Sequence, residues 1–187
     1  MKGNRSQVIV VIPARYGSTR LQGKPLLDLA GKTIIQRVYE QALQAKTVDH
    51  VLVATDDERI RAAVAAFGGE AVMTSAAHQT GTDRIAEVAG GLAAEIVVNV
   101  QGDEPMIDPV TIDLAVEPLL TDPALMMSTT CEPIDSIKDL FNPNIVKVVL
   151  DDNGNALYFS RAPIPFPREL FQHAQAAMIN LEQYVER

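Results

Sequence analysis

The apolar run at residues 8–12, VIVVI, constrains the fold more than any other stretch of this chain. Consecutive β-branched residues, followed here by Pro13, are typical of a parallel strand that is buried on both faces. Such a strand needs neighbouring strands at its sides and helices above and below it. The run therefore predicts a central strand of an α/β sheet.

A cationic loop comes directly after this strand, and we call residues 15–24 the basic loop. It carries three cations and a serine among glycines, namely Arg15, Ser18, Arg20 and Lys24 with Gly17 and Gly23. Backbone donors and cations at the carboxyl end of a central strand are typical of a site for a phosphorylated ligand. The alternative is that these charges are simply solvated. Neither the P-loop nor the G-x-G-x-x-G spacing is present, which argues against a dinucleotide-dependent oxidoreductase.

Composition narrows the class of protein. The chain has 187 residues, 47% hydrophobic content and a formal net charge of -8, as expected for one globular domain with a sizeable core. A net negative charge argues against a nucleic-acid partner. A basic loop on an acidic body instead favours a small anionic ligand.

The cysteine count and the start of the chain bear on location. Cys131 is the one cysteine in the sequence and is expected to be a small buried strand residue, and no Cys/His cluster has zinc spacing. This pattern favours a reducing, cytoplasmic setting. The five-residue apolar stretch near the start is too short for a signal sequence or a membrane span, so no membrane partner is expected.

Strands and helices alternate along the rest of the chain. We predict helices at 32–46, 58–69, 80–92, 108–120 and 134–141, and strands at 51–55, 70–74, 95–101 and 125–131. Thr82 or Asp83 is expected to cap the third helix, and Pro118 to kink the fourth or end it early. A β-hairpin is predicted at 146–160 around Asn153-Gly154, and mixed helical character at 168–187. The fold class is thus α/β, a mostly parallel sheet with a smaller antiparallel addition, in a single domain covering 1–187.

Polar clusters follow three of the predicted strands. Besides the basic loop, residues 74–84 contain His78 and Arg84, and residues 99–105 contain Gln101 and Asp103. Cations, small polar groups and a carboxylate together suit a nucleoside triphosphate with Mg²⁺, for which Asp103 is the candidate ligand. Plainer interpretations also exist. Asp103 could cap a helix or a turn, His78 could be a hydrogen-bonding surface residue, and Arg84 could belong to a solvated helix face.

Six motifs, three of them at these polar clusters, resemble the 3-deoxy-manno-octulosonate cytidylyltransferases, also called CMP-Kdo synthetases. They are IPARYGSTRLQGKPL, VATDDERI, MTSAAHQTGTDRIAEV, VNVQGDEPMI, FNPNIVKVVLD and ALYFSRAPIP, in the order in which the family has them. The resemblance covers residues 8–165. It implies a Rossmann-like nucleotidyltransferase domain that transfers CMP from CTP to the sugar acid Kdo. Pyrophosphate is released, and CMP-Kdo is formed for lipopolysaccharide synthesis.

The resemblance also implies roles for individual residues. Arg15, Ser18, Arg20 and Lys24 would hold the triphosphate, with Arg15, Lys24 and Asp103 as the catalytic set and Asp103 as the Mg²⁺ ligand. The segment containing His78, Thr82 and Arg84 would contact the cytidine. Gln101 and Arg161 would face the sugar acid. A homodimer is implied for the full-length protein.

Two departures from the family pattern leave alternatives open. Gln22 stands where the family usually has proline, which should loosen the basic loop slightly. The family's C-terminal segment, with its dimer strand and second metal-binding aspartate, is not recognisable after residue 171, so the domain is C-terminally incomplete relative to the family. A catalytically incomplete nucleotide-binding fragment, or a cytidylyltransferase for a related sugar acid, is therefore also considered.

Overall fold

The structure, a computed structural model, describes residues 8–17 and 21–164. It divides into two compact units, Met1–Thr130 and Cys131–Arg187. The first unit contains β1 (Val8–Ala14), a 3₁₀ helix (Lys24–Leu26), β2 (Asp28–Leu29), β3 (Lys32–Thr33), α1 (Ile34–Ala42), β4 (His50–Thr55), α2 (Glu58–Ala66), β5 (Ala71–Met73), α3 (Gly81–Ala89), β6 (Ile96–Asn99) and α4 (Pro109–Thr121). The second contains α5 (Ile137–Phe141), β7 (Lys147–Leu150) and β8 (Ala156–Ser160). The organisation as a single domain over 1–187 stays a prediction.

A four-stranded parallel sheet forms the centre of the first unit, in the order β5-β4-β1-β6. Strand β1 pairs with β4 on one side and with β6 on the other, so Val10 lies opposite both Val51 and Val98. The chain moves outward from β1 through β4 to β5 and then crosses back to β6. The order therefore reverses between β1 and β6, and the loops that follow these two strands lie at a topological switch point.

Helices cover both faces of this sheet. Val10 and Ile12 belong to a core cluster that includes Ile35 of α1 and Ile60 of α2. The neighbouring side chains Ile9 and Val11 point to the other face, where they join Ile85 and Val88 of α3 in a second cluster. Alternate residues of a strand face opposite sides, so a strand with a helix layer on each side needs an unbroken apolar run. This arrangement confirms the prediction made from VIVVI.

Most predicted elements are present, with shifted ends. The helix predicted at 32–46 begins only at Ile34, because Lys32–Thr33 forms an antiparallel pair with Asp28–Leu29 that the sequence reading missed. Thr33 then caps α1 by accepting a hydrogen bond from the Gln36 amide. Pro118 does not stop α4, which continues to Thr121. Proline there removes one backbone donor three residues before the helix ends, and burial of Ile112 and Val116 on α4 offsets that loss.

The strand predicted at 125–131 is absent from the described structure. Met126 and Met127 are 91% and 85% exposed, and the segment has no regular hydrogen-bond pattern. Apolar composition predicts a buried strand only where a neighbouring strand is present to pair with it. In the described ranges β6 is the last strand of the sheet on this side. Cys131 is likewise exposed rather than buried, so the prediction of a small buried strand residue was wrong.

The second unit contains the predicted hairpin. Strands β7 and β8 pair antiparallel, with Lys147 opposite Ser160. Gly154 in the turn has a φ of 82°, which suits glycine, and the Asp151 carboxylate accepts hydrogen bonds from the Asn155 amide and side chain. The helical character predicted for 168–187 lies outside the described residues. None of the helices within the described ranges has both the length and the apolar character needed to cross a membrane.

A buried carboxylate ties α4 to the loop between α1 and β4. Asp113 accepts hydrogen bonds from the Thr47 amide at 2.8 Å, the Thr47 hydroxyl at 2.7 Å and the Lys46 amide at 3.1 Å. Burial raises the pKa of the Asp113 carboxyl, but the bonds from Thr47 and Lys46 outweigh burial, so its pKa lies below the usual value. The ionised form is therefore the one that stabilises the fold.

We expect Asp113→Asn to lower the free energy of unfolding at pH 7 by about 1–2 kcal/mol. A depressed carboxyl pKa contributes stability that is complete above the unfolded pKa, near 3.9, and is lost as pH falls through the folded pKa. The difference between parent and variant should therefore shrink below about pH 4. Urea unfolding followed by circular dichroism at a series of pH values measures this. Asp152→Asn, at an exposed hairpin position, serves as the control, and an equal effect of the two variants would contradict the assignment.

Candidate functional site

The loops that follow β1 and β6 meet at the switch point and enclose a cavity of about 370 Å³. Its lining comes from both loops: Pro13, Ala14, Arg15, Leu21, Lys24, Pro25, Gln101, Gly102 and Asp103. We call this space the first cavity. Gly102 permits the close approach of the loops, because a β-carbon there would lie 2.8 Å from the Pro13 carbonyl oxygen. Two segments far apart in the sequence thus form one concave surface at the carboxyl edge of the sheet.

A second cavity, of about 230 Å³, adjoins the first. It is lined by Pro13, Ala14, Arg15, His78, Gln79, Thr80, Gly81, Arg84 and Gln101. Arg15 and Gln101 line both cavities. An elongated ligand could therefore extend from one cavity into the other past these two side chains.

The start of α3 forms one wall of the second cavity and is fixed by a capping box. Thr80 accepts a hydrogen bond from the Asp83 amide at 3.1 Å, and the Asp83 carboxylate accepts one from the Thr80 amide at 3.3 Å. The cap is Thr80, so the expectation that Thr82 or Asp83 caps this helix was wrong. The capping box needs a hydroxyl residue three positions before an acid, and the Thr80–Asp83 pair meets this requirement. Thr82 lies exposed in the first turn of α3, outside the linings of both cavities.

A cation and a carboxylate face each other in the first cavity. The Lys24 Nζ lies 2.6 Å from the Asp103 Oδ2, and the two side chains are 36% and 54% exposed. Gly23, with a φ of 69°, allows the loop to turn into the 3₁₀ helix that begins at Lys24. Exposed ion pairs of this kind contribute at most about 1 kcal/mol. The pair can therefore open at little cost in free energy, which leaves the Lys24 ammonium and the Asp103 carboxylate available to bind a ligand.

Arg84 is the opposite case, a buried cation in the wall of the second cavity. Its side chain is 4% exposed, its Nη2 lies 3.0 Å from the Asp56 Oδ2, and its Nη1 donates to the Thr74 hydroxyl. The interpretation of Arg84 as part of a solvated helix face was therefore wrong. The guanidinium is held from two sides and lines the cavity in a fixed orientation.

His78 lies on the same wall and is also held in place. Its side chain is 22% exposed, and its Nε2 contacts the Glu87 Oε2. Glu87 also accepts a hydrogen bond from the Ser75 amide at 3.0 Å. The bonds from Ser75 and then from His78 lower the pKa of the Glu87 carboxyl. His78 thus makes a hydrogen bond, as its plainer interpretation expected, and it also lies in the cavity lining. Its contact with a ligand stays a prediction.

The structure brings six of the predicted residues together: Arg15, Lys24, His78, Arg84, Gln101 and Asp103. Ser18 and Arg20 lie outside the described residues. Arg161 belongs to the second unit, where it is exposed and its Nη1 donates to the Pro143 carbonyl at 2.8 Å. Sequence reasoning missed Asp56 as the partner of Arg84. Asp56 follows β4 directly. The expectation that ligand-binding groups follow the carboxyl ends of strands, which indicated the other residues, would have indicated Asp56 as well.

The sequence profile of the cytidylyltransferases matches residues 9–186 of this chain. The chain belongs to the cytidylyltransferase family. Among these cytidylyltransferases it is similar to the 3-deoxy-manno-octulosonate cytidylyltransferase of Trichlorobacter lovleyi, with 57% identity over 166 residues, or 89% of this chain. The protein of the same name from Geotalea daltonii is 57% identical over 159 residues, or 85% of this chain. The resemblance inferred from the six motifs is confirmed.

This cytidylyltransferase chain spans about two thirds of the length of these curated relatives, 66% and 63%. Among solved structures it is similar to CMP:2-keto-3-deoxy-manno-octonic acid synthetase complexed with CTP. The TM-score is 0.85 and the identity 53%, over 87% of this chain and 67% of the other. The fold class, a Rossmann-like nucleotidyltransferase sheet with a smaller antiparallel addition, is confirmed.

The two ion pairs of this site should differ sharply in their effect on stability. We expect Arg84→Ala to lower the free energy of unfolding by about 2–4 kcal/mol, because it removes a buried cation that is paired and hydrogen-bonded. Lys24→Ala should change it by less than about 1 kcal/mol, since the Lys24–Asp103 pair is exposed. Urea unfolding of both variants beside the parent measures the contrast. Equal losses would show that Arg84 is not held as described.

Proposed function

We propose that this protein transfers CMP from CTP to 3-deoxy-manno-octulosonate (Kdo), which yields CMP-Kdo and pyrophosphate. The observation that carries the proposal is the pair of adjoining cavities at the switch point, one with Lys24 and Asp103 and the other with Arg84 and His78. The similar solved structure is a CMP-Kdo synthetase complexed with CTP, which supports CTP as the nucleotide. The names of the curated relatives support Kdo as the acceptor.

The first cavity suits the triphosphate. Arg15 and Lys24 line it and supply positive charge, and we assign Ser18 and Arg20 of the basic loop to the same task. In the reaction, the anomeric hydroxyl of the sugar acid attacks the α-phosphorus of CTP. A new O–P bond forms, the bond from the α-phosphorus to the bridging oxygen of pyrophosphate breaks, and the hydroxyl proton passes to solvent.

The chain's contribution to this reaction is positioning and charge. Negative charge builds up on the pyrophosphate leaving group in the transition state, and fixed cations stabilise it there more than in the ground state. Arg15 lies in the shared lining of both cavities, so it is placed beside the junction between nucleoside and phosphates. No covalent intermediate with a protein side chain is required.

The second cavity suits the cytidine. Arg84 presents guanidinium donors that can bond to the carbonyl oxygen and ring nitrogen of cytosine. Its pairing with Asp56 holds that group in a fixed orientation. His78, in the same lining, is assigned to the nucleoside as well. Thr82 lies outside that lining, and its assignment to the nucleoside rests on the resemblance alone. Gln101, at the boundary of both cavities, is assigned to the sugar acid. A role for Arg161 toward the sugar acid rests on the resemblance to the CMP-Kdo synthetases alone.

Asp103 is proposed as the Mg²⁺ ligand, and the residues present fit that ion. Within residues 8–17 and 21–164, no group of three or more His, Cys, Asp or Glu side chains could hold a metal. One exposed carboxylate in a phosphate-sized cavity suits Mg²⁺, which typically binds one or two carboxylates together with substrate phosphates and water. The ion would neutralise charge on the phosphate oxygens when bound. Lys24 lies on Asp103 in the structure and would move to the phosphates.

A cytoplasmic location and a homodimer complete the proposal. A single exposed cysteine is compatible with a reducing compartment, and the nucleotide substrate is made in the cytoplasm. The dimer rests on the resemblance to the CMP-Kdo synthetases alone.

The activity is tested by measuring pyrophosphate release from CTP and Mg²⁺ with and without Kdo. We expect release that depends on all three components. Binding of CTP with no release would instead identify a catalytically incomplete nucleotide-binding fragment. Release with a related sugar acid in preference to Kdo would change the acceptor. Absence of both binding and release would contradict the proposal.

Asp103→Asn should reduce turnover on the order of 100-fold, because it removes the charge proposed to hold the ion and keeps the side-chain shape. The fold should be unaffected, since Asp103 is exposed. Glu104→Gln removes one charge from the next, also exposed position and is the matched control. Steady-state rates over a Mg²⁺ titration distinguish the two. If both variants lose the same activity, or neither does, Asp103 is not the ligand.

A further inference from the structure

The motif VATDDERI contributes two adjacent acids, Asp56 and Asp57. The proposed mechanism gives Asp57 no role, and it gives Asp56 only that of holding Arg84. They follow β4, the neighbour of β1, and Thr55 at the end of β4 lies opposite Ala14 at the end of β1. Both strands run in the same direction, so the two acids lie beside the first residues of the basic loop.

Asp57 holds Arg59 through a two-pronged ion pair. The Arg59 Nε donates to the Asp57 Oδ1 at 2.9 Å, and the Arg59 Nη2 donates to the Oδ2 at 2.6 Å. Asp57 also caps α2 by accepting from the Arg59 amide at 2.9 Å. The side-chain bond from Arg59 holds the pKa of the Asp57 carboxyl below its usual value. The guanidinium plane is therefore fixed relative to the start of α2.

Arg59 in turn lies on the face of Tyr16, a residue of the basic loop. The guanidinium carbon is 3.3 Å from the centroid of the Tyr16 ring. Arginine favours this stacked arrangement, which combines a cation–π attraction with contact between two flat groups. A residue on α2 thus contacts the loop proposed to bind phosphate.

Tyr16 in turn contacts Gly23, near the other end of the basic loop. The Gly23 amide donates to the Tyr16 carbonyl at 2.9 Å. A β-carbon at Gly23 would lie 3.0 Å from a Tyr16 ring carbon, so the ring packs directly against the glycine backbone. Lys24, whose ammonium lies in the first cavity, is the next residue. A continuous series of contacts therefore links Asp57, through Arg59 and Tyr16, to Gly23, the residue before Lys24.

The neighbouring acid, Asp56, acts on the second cavity. Its Oδ2 is 3.0 Å from the Nη2 of the buried Arg84. Of the two adjacent carboxylates, Asp56 thus contacts a residue of the second cavity directly, whereas Asp57 is linked to the basic loop through Arg59 and Tyr16.

We propose that Asp56 and Asp57 are positioning residues that fix the two halves of the nucleotide site. Asp57 orients Tyr16 and Gly23 of the basic loop through Arg59, and Asp56 orients Arg84 in the second cavity. The proposal rests on the proposed function for its effect on CTP. If Asp57 served only to cap α2, any side-chain acceptor at residue 57 would be enough. Capping alone explains neither the two-pronged pair of Asp57 with Arg59 nor the stacking of Arg59 on Tyr16.

The first test needs no ligand. Hydrogen–deuterium exchange of peptides covering residues 15–27 is compared for the parent, Arg59→Ala and Arg61→Ala. Arg61 is the matched control, because it is an exposed arginine of the same helix paired with Glu58. We expect faster exchange of the basic loop in Arg59→Ala alone. Equal exchange in all three proteins would overturn the positioning role of Arg59, whatever the nucleotide affinity.

The second test separates the phosphate half from the nucleoside half. Calorimetry should show that Arg59→Ala weakens CTP binding about three- to tenfold, as expected for a loop that has lost its preorganisation, and leaves cytidine binding unchanged. Asp57→Ser keeps a capping oxygen and loses the fork, so it should behave like Arg59→Ala. Asp56→Asn should weaken the binding of cytidine and of CTP alike.

CTP affinities equal to that of the parent in these variants would overturn this proposal. A parent protein that binds no CTP would instead overturn the proposed function.

Discussion

Strand β1 is buried on both faces at the centre of the parallel sheet, and the positions of the residues that line the two cavities depend on it. Its pairing with β4 and β6 aligns three strand ends at one edge. The basic loop, the Asp56-Asp57 pair and the loop of Gln101 and Asp103 leave from those ends. Side chains far apart in the sequence meet there because hydrogen bonding fixes the relative register of parallel strands. Loss of this strand's packing would disperse both cavities together.

Two ion pairs of different burial give the site one movable half and one fixed half. Lys24 and Asp103 are exposed to solvent, so water competes for both charges and the pair can open for a ligand. Arg84 and its contact with Asp56 lie largely out of solvent, where an unpaired charge would cost far more. A flexible triphosphate and its ion are suited to the first arrangement. A planar base that must be distinguished by its hydrogen-bonding edge is suited to the second.

The sequence indicated the basic loop, His78, Arg84, Gln101 and Asp103 as site residues, because ligands of α/β sheets bind at the carboxyl ends of strands and polar residues that follow apolar runs can be recognised from the sequence. It could not assign their contacts. A solvated face remained a possible alternative for Arg84, because helical spacing alone does not show that Thr74 and Asp56 enclose its guanidinium. The strand predicted at 125–131 failed for a related reason. Apolar composition indicates a tendency to be buried, but a segment forms a buried strand only where a neighbouring strand can pair with it. In the described part of the chain, no strand of the sheet lies beyond β6.

The sequence by itself determined the α/β class, the alternation of strands and helices, the hairpin at Asn153-Gly154 and the family, since these depend on local periodicity, turn chemistry and motif wording. Tertiary structure alone decided which charges pair and which stay exchangeable. It also brought Arg59 of α2 onto Tyr16 of the basic loop. The physical reason is that the strength of an electrostatic contact depends on its distance and its burial. Both are properties of segments brought together by the sheet.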